Sequence, residues 1–578
     1  MSDLVFDIET DGLDPTVIHC IVTMDENGEI RRYNHAEEGN FTLGLEALAE
    51  ADVLIGHNII GYDLWAIRKL YPDWTTSAEI KDTLVYSRLG WPNIRELDHQ
   101  KKWGDLEKKS GSHSLGAWGD RLGFKKWSHV VEDKSMFERW SRELEDYCQR
   151  DVEVNHRFWQ ECKKKDLNEG SVNLEHRIFT LMHDMEHYGF LFDRRKGERL
   201  YARLCSQRDR IREEMKSIFP TKVTERISEK TGRKLKPKVE EFNPGSRKQI
   251  AERFMERGWK PTEFTPDGKP KVSETVLVSL EGTIPEARVL KDYLLVTKRI
   301  GQLAEGNRGL LGEVANDNRI HGSVNSNGAV SGRMTHRAPN LAQIPAEETF
   351  RELFTVPDGF DLVGCDASGL ELRCLAHYMY TWDDGKYADQ ILSGDIHTMN
   401  MEAAGLTSRS QAKTLIYALI YGAGDAKLGE IIDGGLKEGR ALRKRFLDRT
   451  PALKKLTEMV KQKAKVQGHL TGLDGRTLYC RSPHSALNLL LQSAGAVAMK
   501  TATCIFSNLQ AKHGFVKNED WAIVAHVHDE WQTECRSVTS SQVAKNACLS
   551  IEQAGEAFDF RIPLAGEARI GKNWWQTH

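Results

Sequence analysis

The chain has 578 residues, too many for one hydrophobic core, and by the usual size of a domain it divides into roughly three to five domains or subdomains. A hydrophobic content of 40% is ample for burial, while the net charge of −3 leaves any nucleic-acid binding to local basic patches. No stretch reads as apolar for long enough to span a bilayer, and the opening MSDLVFDIET carries acids where a secretory signal needs basic and then apolar residues. The ten cysteines show neither a C-x-x-C pair nor a Cys/His cluster, so disulfides and structural zinc are not expected. The expectation is a reduced, cytoplasmic, non-membrane protein.

The first 165 or so residues read as α/β: LVFDIET and ADVLIGHN are short apolar runs ending in polar residues, and SRELEDYCQRDVEVNHRFWQECKKK has helical periodicity. From about Asn173 the pattern turns helical, and GERLYARLCSQRDRIREEMKSIF predicts one long amphipathic helix. Between Pro220 and Pro244 lies a polar link without an apolar period, expected as a mobile loop or a helix that orders on a partner. It holds the basic residues Lys222, Arg226, Lys230, Arg233, Lys234, Lys236 and Lys238; Arg440, Arg443, Lys444, Arg445 and Arg449 form another such run. Each run taken alone is more often a solvated face. A Gly/Asn-rich run follows near Ile320, then the strand-like DLVGCDAS, helices from about Ile396 to Val466, and the hairpin pattern AIVAHVHDEWQTEC.

Two sets of acids stand out. Asp7 and Glu9 end the first apolar run, and they are followed by Asp63 in HNIIGYD and by Tyr147 and Asp151 in YCQRD, one helical turn apart. Four acids and a tyrosine suit two divalent ions and a water aimed at a phosphodiester. Late in the chain, Asp366 and Asp529 each end an apolar run, where two carboxylates brought together can bridge a pair of Mg²⁺ ions. Asp529 alone could equally be a turn residue. Between them Arg409, Lys413, Tyr417 and Tyr421 recur at steps of four, a helix stripe of two cations and two rings suited to a polyphosphate carrying a flat base.

At these motifs the chain resembles the family A (Pol I type) DNA polymerases, above all the replicative enzymes of short-tailed phages of the T-seven kind. DASGLELRCLAHY looks like their motif A, AKTLIYALIYGAG like motif B and HVHDEWQ like motif C, and SGRMTHRAPNLAQIP and SALNLLLQSAGA match the intervening segments in order. The resemblance implies an α/β and α+β multidomain chain: a ribonuclease-H-like 3′→5′ exonuclease domain at 1–170 and a right-hand polymerase domain at 171–578. Within the latter it implies a thumb at about 190–318, a palm at about 319–395 and 480–578, and fingers at about 396–479.

The same resemblance assigns roles. It implies that Asp366 and Asp529, with the Ala367 carbonyl, ligate two Mg²⁺ ions, for which Mn²⁺ can substitute, and that Arg409 and Lys413 hold the triphosphate. Lys413 would also protonate the departing pyrophosphate, Tyr417 would lie beside the sugar and Tyr421 near the template base. Glu371 matches the family's gate against a ribose 2′-hydroxyl, His377 falls in motif A as a further substrate residue, and Arg333, Asn488, Gln492 and His528 look like minor-groove readers. For Asn488 and Gln492 helix capping is the plainer alternative.

Asp7, Glu9, Asp63, Tyr147 and Asp151 match the DEDDy class of exonucleases, which would bind two further Mg²⁺ ions. His57 and Asn58 suit a single-strand channel or simple packing, Asp82 a supporting acid or a helix cap, and His113 has no assignable chemistry.

The implied partners are primer–template DNA and deoxynucleoside triphosphates, with a phage helicase-primase and a single-strand binding protein as replisome candidates, in the cytoplasm of a bacterial host. A monomer is expected. The phage relatives recruit host thioredoxin through a long thumb insertion, whereas here only a short Lys-rich link runs from Phe219 to Asn243, so no thioredoxin clamp is expected. Two rival readings are a non-catalytic nucleic-acid binding protein, disfavoured by intact acids at both sites, and a single-subunit RNA polymerase, disfavoured by Glu371 and by the N-terminal acids.

Overall fold

The computed structural model describes residues 3–101, 106–126, 134–228 and 230–578. They form two compact units, one of Met1–Gly189, Gly322–Gln343 and Val356–His578, the other of Phe190–His321 and Ile344–Thr355.

The first unit opens with a five-stranded sheet of β1 (Asp3–Thr10), β2 (Ile18–Met24), β3 (Ile30–Asn34), β4 (Val53–Gly56) and β5 (Glu79–Asp82), ordered β3-β2-β1-β4-β5. The first three strands are antiparallel, and β1, β4 and β5 run parallel. Alternation along β1 sends Phe6 and Ile8 into a core with Leu64 and Ile67 of α1 (Asp63–Leu70). Val5, on the opposite face, packs with Cys148, Val152 and Phe158 of α3 (Arg142–Lys163). Asp7 and Glu9 share the parity of Val5, so the strand's own period turns both acids toward α3. Asp82 caps α2 (Thr83–Gly90), and α4 (Glu169–Tyr188) ends at Gly189, whose φ of 71° favours glycine.

In the second unit β6 (Phe190–Leu191) pairs with β9 (Arg319–Ile320), and α5 (Arg194–Ile218) buries Leu200, Leu204, Ile211 and Met215 on one face, as its periodicity predicts. The segment after it is neither a loop nor a helix. Strands β7 (Lys222–Ile227) and β8 (Lys234–Glu240) form an antiparallel ribbon, with a bulge between Thr224 and Arg226. The signal overlooked in the sequence is the alternation K-L-K-P-K-V: Lys234, Lys236 and Lys238 share one face, and Leu235 and Val239, the latter opposite Val223, share the other. Val223 and Val239 are each 64% exposed, so no core gives the pattern away. Helices α6 (Arg247–Glu256) and α7 (Glu286–Ile300) complete the parts used below.

Back in the first unit, β10 (Phe360–Ala367) leads to α8 (Leu370–Asp383), then α9 (Ile396–Ala404), α10 (Arg409–Ile420), α11 (Leu436–Arg449), α12 (Pro451–Gln467) and α13 (Ala486–Lys512). Strands β11 (Trp521–Val527) and β12 (Glu530–Arg536) form the expected hairpin, and after α14 (Ser540–Ala557) comes β13 (Gly566–Gly571). The four strands make an antiparallel sheet ordered β11-β12-β10-β13.

Helix α13 corrects one expectation. The stretch Pro483–Lys512 is long and apolar enough to cross a membrane, but its most apolar part is mostly buried inside the protein, where it forms part of the main core.

Candidate active sites

The early acids converge because β1 and α3 face one another. The ligand atoms of Asp7, Glu9 and Cys148 lie within 4.8 Å of one another, and the Cys148 thiol donates to the Asp7 carbonyl at 3.4 Å. Asp63, at the first turn of α1, accepts from the Ile8 N–H at 3.3 Å, and Asp151 and Tyr147 reach in from α3. Burial raises the pKa of all four carboxyls; repulsion by neighbouring acids adds to it at Asp7, Glu9 and Asp63, while Lys126 opposes it at Asp151. Asp63 is pushed up to about 7, by burial first and then by the charges of Asp82 and Asp151. Lys126 is the one cation that touches the group among the described residues: it pairs with Asp151 Oδ2 and lies 5.1 Å from the centre of the Tyr147 ring. Asp151 Oδ1 is buried without a hydrogen-bond partner among the described residues.

The neighbours of this cluster are structural. The Asp82 carboxylate accepts from the N–H groups of Asn58 (2.8 Å), Leu84 (2.9 Å) and Ile60 (3.1 Å), so it both caps α2 and fixes the loop that leads to Asp63. His57 is bound to Thr83 Oγ1 at 2.9 Å and packs edge-on against Phe158, with its pKa pushed down to about 3 by burial. His113 is bound to Ser87 Oγ at 2.7 Å, which also accepts from the indole of Trp118, and burial lowers its pKa to about 4.

The late acids are brought together by the second sheet. Asp366 ends β10 directly beside β12, and the Ala367 N–H donates to the Asp529 carbonyl at 3.0 Å. Asp366 is raised to about 7, by burial and then by Asp529, Glu530 and Glu567. His528, with φ of 58°, makes the tight turn that puts Asp529 between β11 and β12. Thus Asp529 is a turn residue and an active-site candidate at once. Glu530 is a different matter: it points inward, accepting from Trp574 Nε1 (2.7 Å) and Gln532 Nε2 (2.6 Å) and pairing with His578 Nδ1 (2.6 Å).

Ser408 caps α10, whose Ala412, Leu415, Ile416 and Leu419 are buried. That burial leaves Arg409, Lys413 and Tyr417 on the open side, with Tyr421 one turn further at the helix end, its N–H donating to the Tyr417 carbonyl at 2.8 Å. Arg409 meets Asp395 at 3.4 Å. Burial raises the Tyr417 phenol, and the charges of Glu371 and Asp529 add to this. The end of the stripe reaches the acids' side through Tyr421, which is bound to Glu371, and Glu371 and Asp529 line one small cavity. Glu371 Oε1 accepts from both Arg333 Nη2 (3.2 Å) and the Tyr421 hydroxyl (2.5 Å). A cavity of about 410 Å³ opens beside Tyr421, lined by Ile416, Ile420, Ala423 and Leu487.

Asn488 and Gln492 lie on α13, half-buried, and Asn488 Oδ1 has no partner among the described residues, unlike a helix cap. His377 stands apart from these: it stacks on Phe560 at 4.5 Å and accepts from the Arg561 N–H at 3.3 Å. Of the basic run on α11, Arg443 and Arg440 bind Asp425 at 2.6 and 3.4 Å, and Arg449 donates to the Glu402 carbonyl, so part of that run is structural. Lys126, Cys148, Glu530 and Glu567 were not singled out from the sequence. Only Glu530, adjacent to Asp529, carried a local hint.

Paired carboxylates on an antiparallel sheet, faced by a helix of cations and rings, define a nucleotide-handling enzyme of the polymerase class. The sequence profile of DNA polymerase family A matches residues 213–576. The DNA-directed DNA polymerases of Enterobacteria phage T3 and Escherichia phage T7 are each 35% identical to the chain, over all of it and all of their own length. The alignment with the T3 protein extends over 709 positions against 578 residues here, so that relative carries segments this chain lacks. In structure the chain is similar to the POL domain of Pol1 from M. smegmatis in complex with DNA primer-template and dNTP, with a TM-score of 0.77 at 20% identity, covering 99% of this chain and 96% of that one. The chain belongs to DNA polymerase family A.

Proposed function

We propose that the chain is a template-directed DNA polymerase that extends a primer 3′ end with deoxynucleotides and proofreads with a DEDDy-type 3′→5′ exonuclease site. The observation that carries the polymerase reading is the meeting of Asp366 and Asp529 across β10 and β12, joined through the Ala367 N–H, with the end of the α10 stripe bound to Glu371 on the wall of the same small cavity as Asp529.

Both acid sets suit divalent ions. Like charges are held together in partly or fully dry surroundings, which raises their pKa, and Asp151 Oδ1 is a buried acceptor without a partner among the described residues. Asp366, Asp529 and the Ala367 carbonyl would hold Mg²⁺ or Mn²⁺ in the palm, and Asp7, Glu9, Asp63 and Asp151 would do so in a ribonuclease-H-like domain. When bound, the ions supply activation of the attacking oxygen and neutralisation of charge on the phosphate.

The chain's own groups do the rest. Arg409 and Lys413 hold the triphosphate, and Lys413 delivers a proton to the departing pyrophosphate, because phosphoryl transfer relies mainly on positioning and charge stabilisation. Tyr417 lies against the sugar, Glu371 fills the space of a 2′-hydroxyl, and Tyr421 takes the template side. Arg333, Asn488, Gln492 and His528 offer donors to minor-groove acceptors that every Watson–Crick pair presents. In the early site Tyr147 orients the water that attacks the terminal phosphodiester.

In this reading Phe190–His321 is largely thumb, 396–479 is fingers and the second sheet is palm. Primer–template DNA and dNTPs are the substrates, and replication of a phage genome in a bacterial cytoplasm, with a helicase-primase and a single-strand binding protein, is the setting. The ribbon β7–β8 replaces a partner-recruiting insertion, so no thioredoxin clamp is needed. The test is extension of a primed single-stranded template with and without a mismatched 3′ end: failure to extend overturns the polymerase reading, and extension without removal of the mismatch overturns the proofreading one.

A further inference from the structure

Two consecutive residues of α4 face opposite structures. Glu175 is fully buried, and its Oε1 accepts from Lys500 Nζ and lies 2.8 Å from Arg476 Nη1. Arg476 also grips Asp474 through Nε at 2.9 Å and Nη2 at 2.7 Å. Two cations and two anions thus share one dry site, where removing one partner leaves an uncompensated charge.

This cluster borders the polymerising site. Lys500 lines a small cavity together with Arg333, Glu371, His528 and Asp529. Arg476 Nη1 abuts Gly332, where an added Cβ would come within 2.6 Å of it, and Gly332 precedes Arg333 with φ of 78°. The side of Glu175 therefore sets both the backbone that carries Arg333 and the wall beside His528.

His176 serves the other acids. Its Nδ1 is bound to the Val172 carbonyl at 2.8 Å and must carry the proton, so Nε2 is an acceptor, and it receives the Asp82 N–H at 2.8 Å. Asp82 in turn holds the loop that leads to Asp63.

We propose that Glu175 and His176 are positioning residues that make α4 a shared strut. Glu175 sets Arg333 and His528 for the primer terminus through Lys500 and Arg476, and His176 sets Asp63 for hydrolysis through Asp82. This inference rests on the two-site reading above, and wild-type extension and hydrolysis are its controls: their absence would fault that reading and not this one.

In the full chain, Glu175→Gln should raise the KM for primer–template and the extension of a mismatched end relative to a matched one, each by about tenfold, the scale of one lost charged hydrogen bond. Its hydrolysis of single strands should be largely unchanged. His176→Phe should show the reverse split, with hydrolysis restored by His176→Gln, which keeps an acceptor in reach of the Asp82 N–H. Should Glu175→Gln not fold, Glu175→Gln with Lys500→Met, which removes the pair together, replaces it with the same expected split. Equal losses at both sites, or a lower Tm with unchanged KM and mismatch ratio, would overturn the proposal.

Discussion

Glu371 accepts a hydrogen bond from the Tyr421 hydroxyl, which joins the first turn of α8 to the end of α10. Because Arg333 donates to the same oxygen, the carboxylate is held from two sides and cannot swing freely. A side chain fixed in this way can act as a wall. Glu371→Ala should therefore raise ribonucleotide incorporation relative to deoxyribonucleotide by at least about tenfold, or ~1.4 kcal/mol of discrimination, even if total activity falls. The ratio of the two incorporation efficiencies checks this, and an unchanged ratio would remove Glu371 from the gate.

The two acid sets gather at different sheets, the early one at β1, which carries Asp7 and Glu9, and the late one at β10, which carries Asp366 beside the turn of Asp529. Asp7→Ala with Glu9→Ala should reduce digestion of single strands by about 10²–10³-fold or more and leave primer extension largely intact, whereas Asp366→Ala or Asp529→Ala should do the reverse. Parallel assays of both activities on each variant decide it. Loss of both from one early substitution would show that the sites are not separate.

Tyr417 stands one turn before Tyr421 on the open side of α10, and burial raises its phenol, with the charges of Glu371 and Asp529 adding to this. In the proposed reading, with Tyr417 against the sugar, the phenol hydroxyl would stand in for a missing 3′-hydroxyl. Tyr417→Phe should therefore lower the use of dideoxynucleotides relative to deoxynucleotides by about tenfold or more. Competition between the two substrates, wild type against variant, measures it.

Asp63 binds a proton more tightly folded than unfolded, with a folded pKa of about 7 against an ordinary value of 3.8. The folded state then holds more protons, so stability falls as pH rises between those two values, and the cost is fully present above the higher one. Without divalent ions the Tm should drop between about pH 4 and pH 7, and Asp63→Asn should flatten that drop. Added Mg²⁺ should raise the Tm at pH 8 in wild type more than in Asp7→Ala with Glu9→Ala. Thermal melts with chelator and with Mg²⁺ provide the check, and a Tm that rises with pH under chelation would contradict the assignment.

Lys234, Lys236 and Lys238 line one face of the β7–β8 ribbon at alternate positions, about 6.7 Å apart along the strand. Lys234 and Lys238 are paired with Glu225 and Glu240, but exposed pairs of this kind contribute little and exchange readily for phosphate. Neutralising all three lysines should reduce the slope of log affinity against log salt for primer–template by up to about 3 and shorten products at single-hit enzyme concentrations. Thioredoxin should leave the product length of wild type unchanged. Unaltered products in the triple variant, or longer ones with thioredoxin, would count against a clamp built into the chain.

Several features were legible in the sequence because their causes are local. The strands that carry Asp7 and Asp366, the stripe of α10 and the hairpin around Asp529 follow from alternation, from steps of four and from a turn between two apolar runs, although β1 continues past Asp7 to Thr10. The ribbon was misjudged because its alternation pairs lysines with exposed valines and leucine, which no core rewards, and α13 was underestimated as an apolar stretch although its length and burial belong to the core. What only the tertiary structure decided is which charges meet. Lys126 on Asp151, Glu175 between Lys500 and Arg476, Glu530 turned inward to Trp574 and Glu371 shared by Arg333 and Tyr421 all join residues distant in sequence. Such partners are set by how helices and sheets pack, and side-chain period carries no record of that.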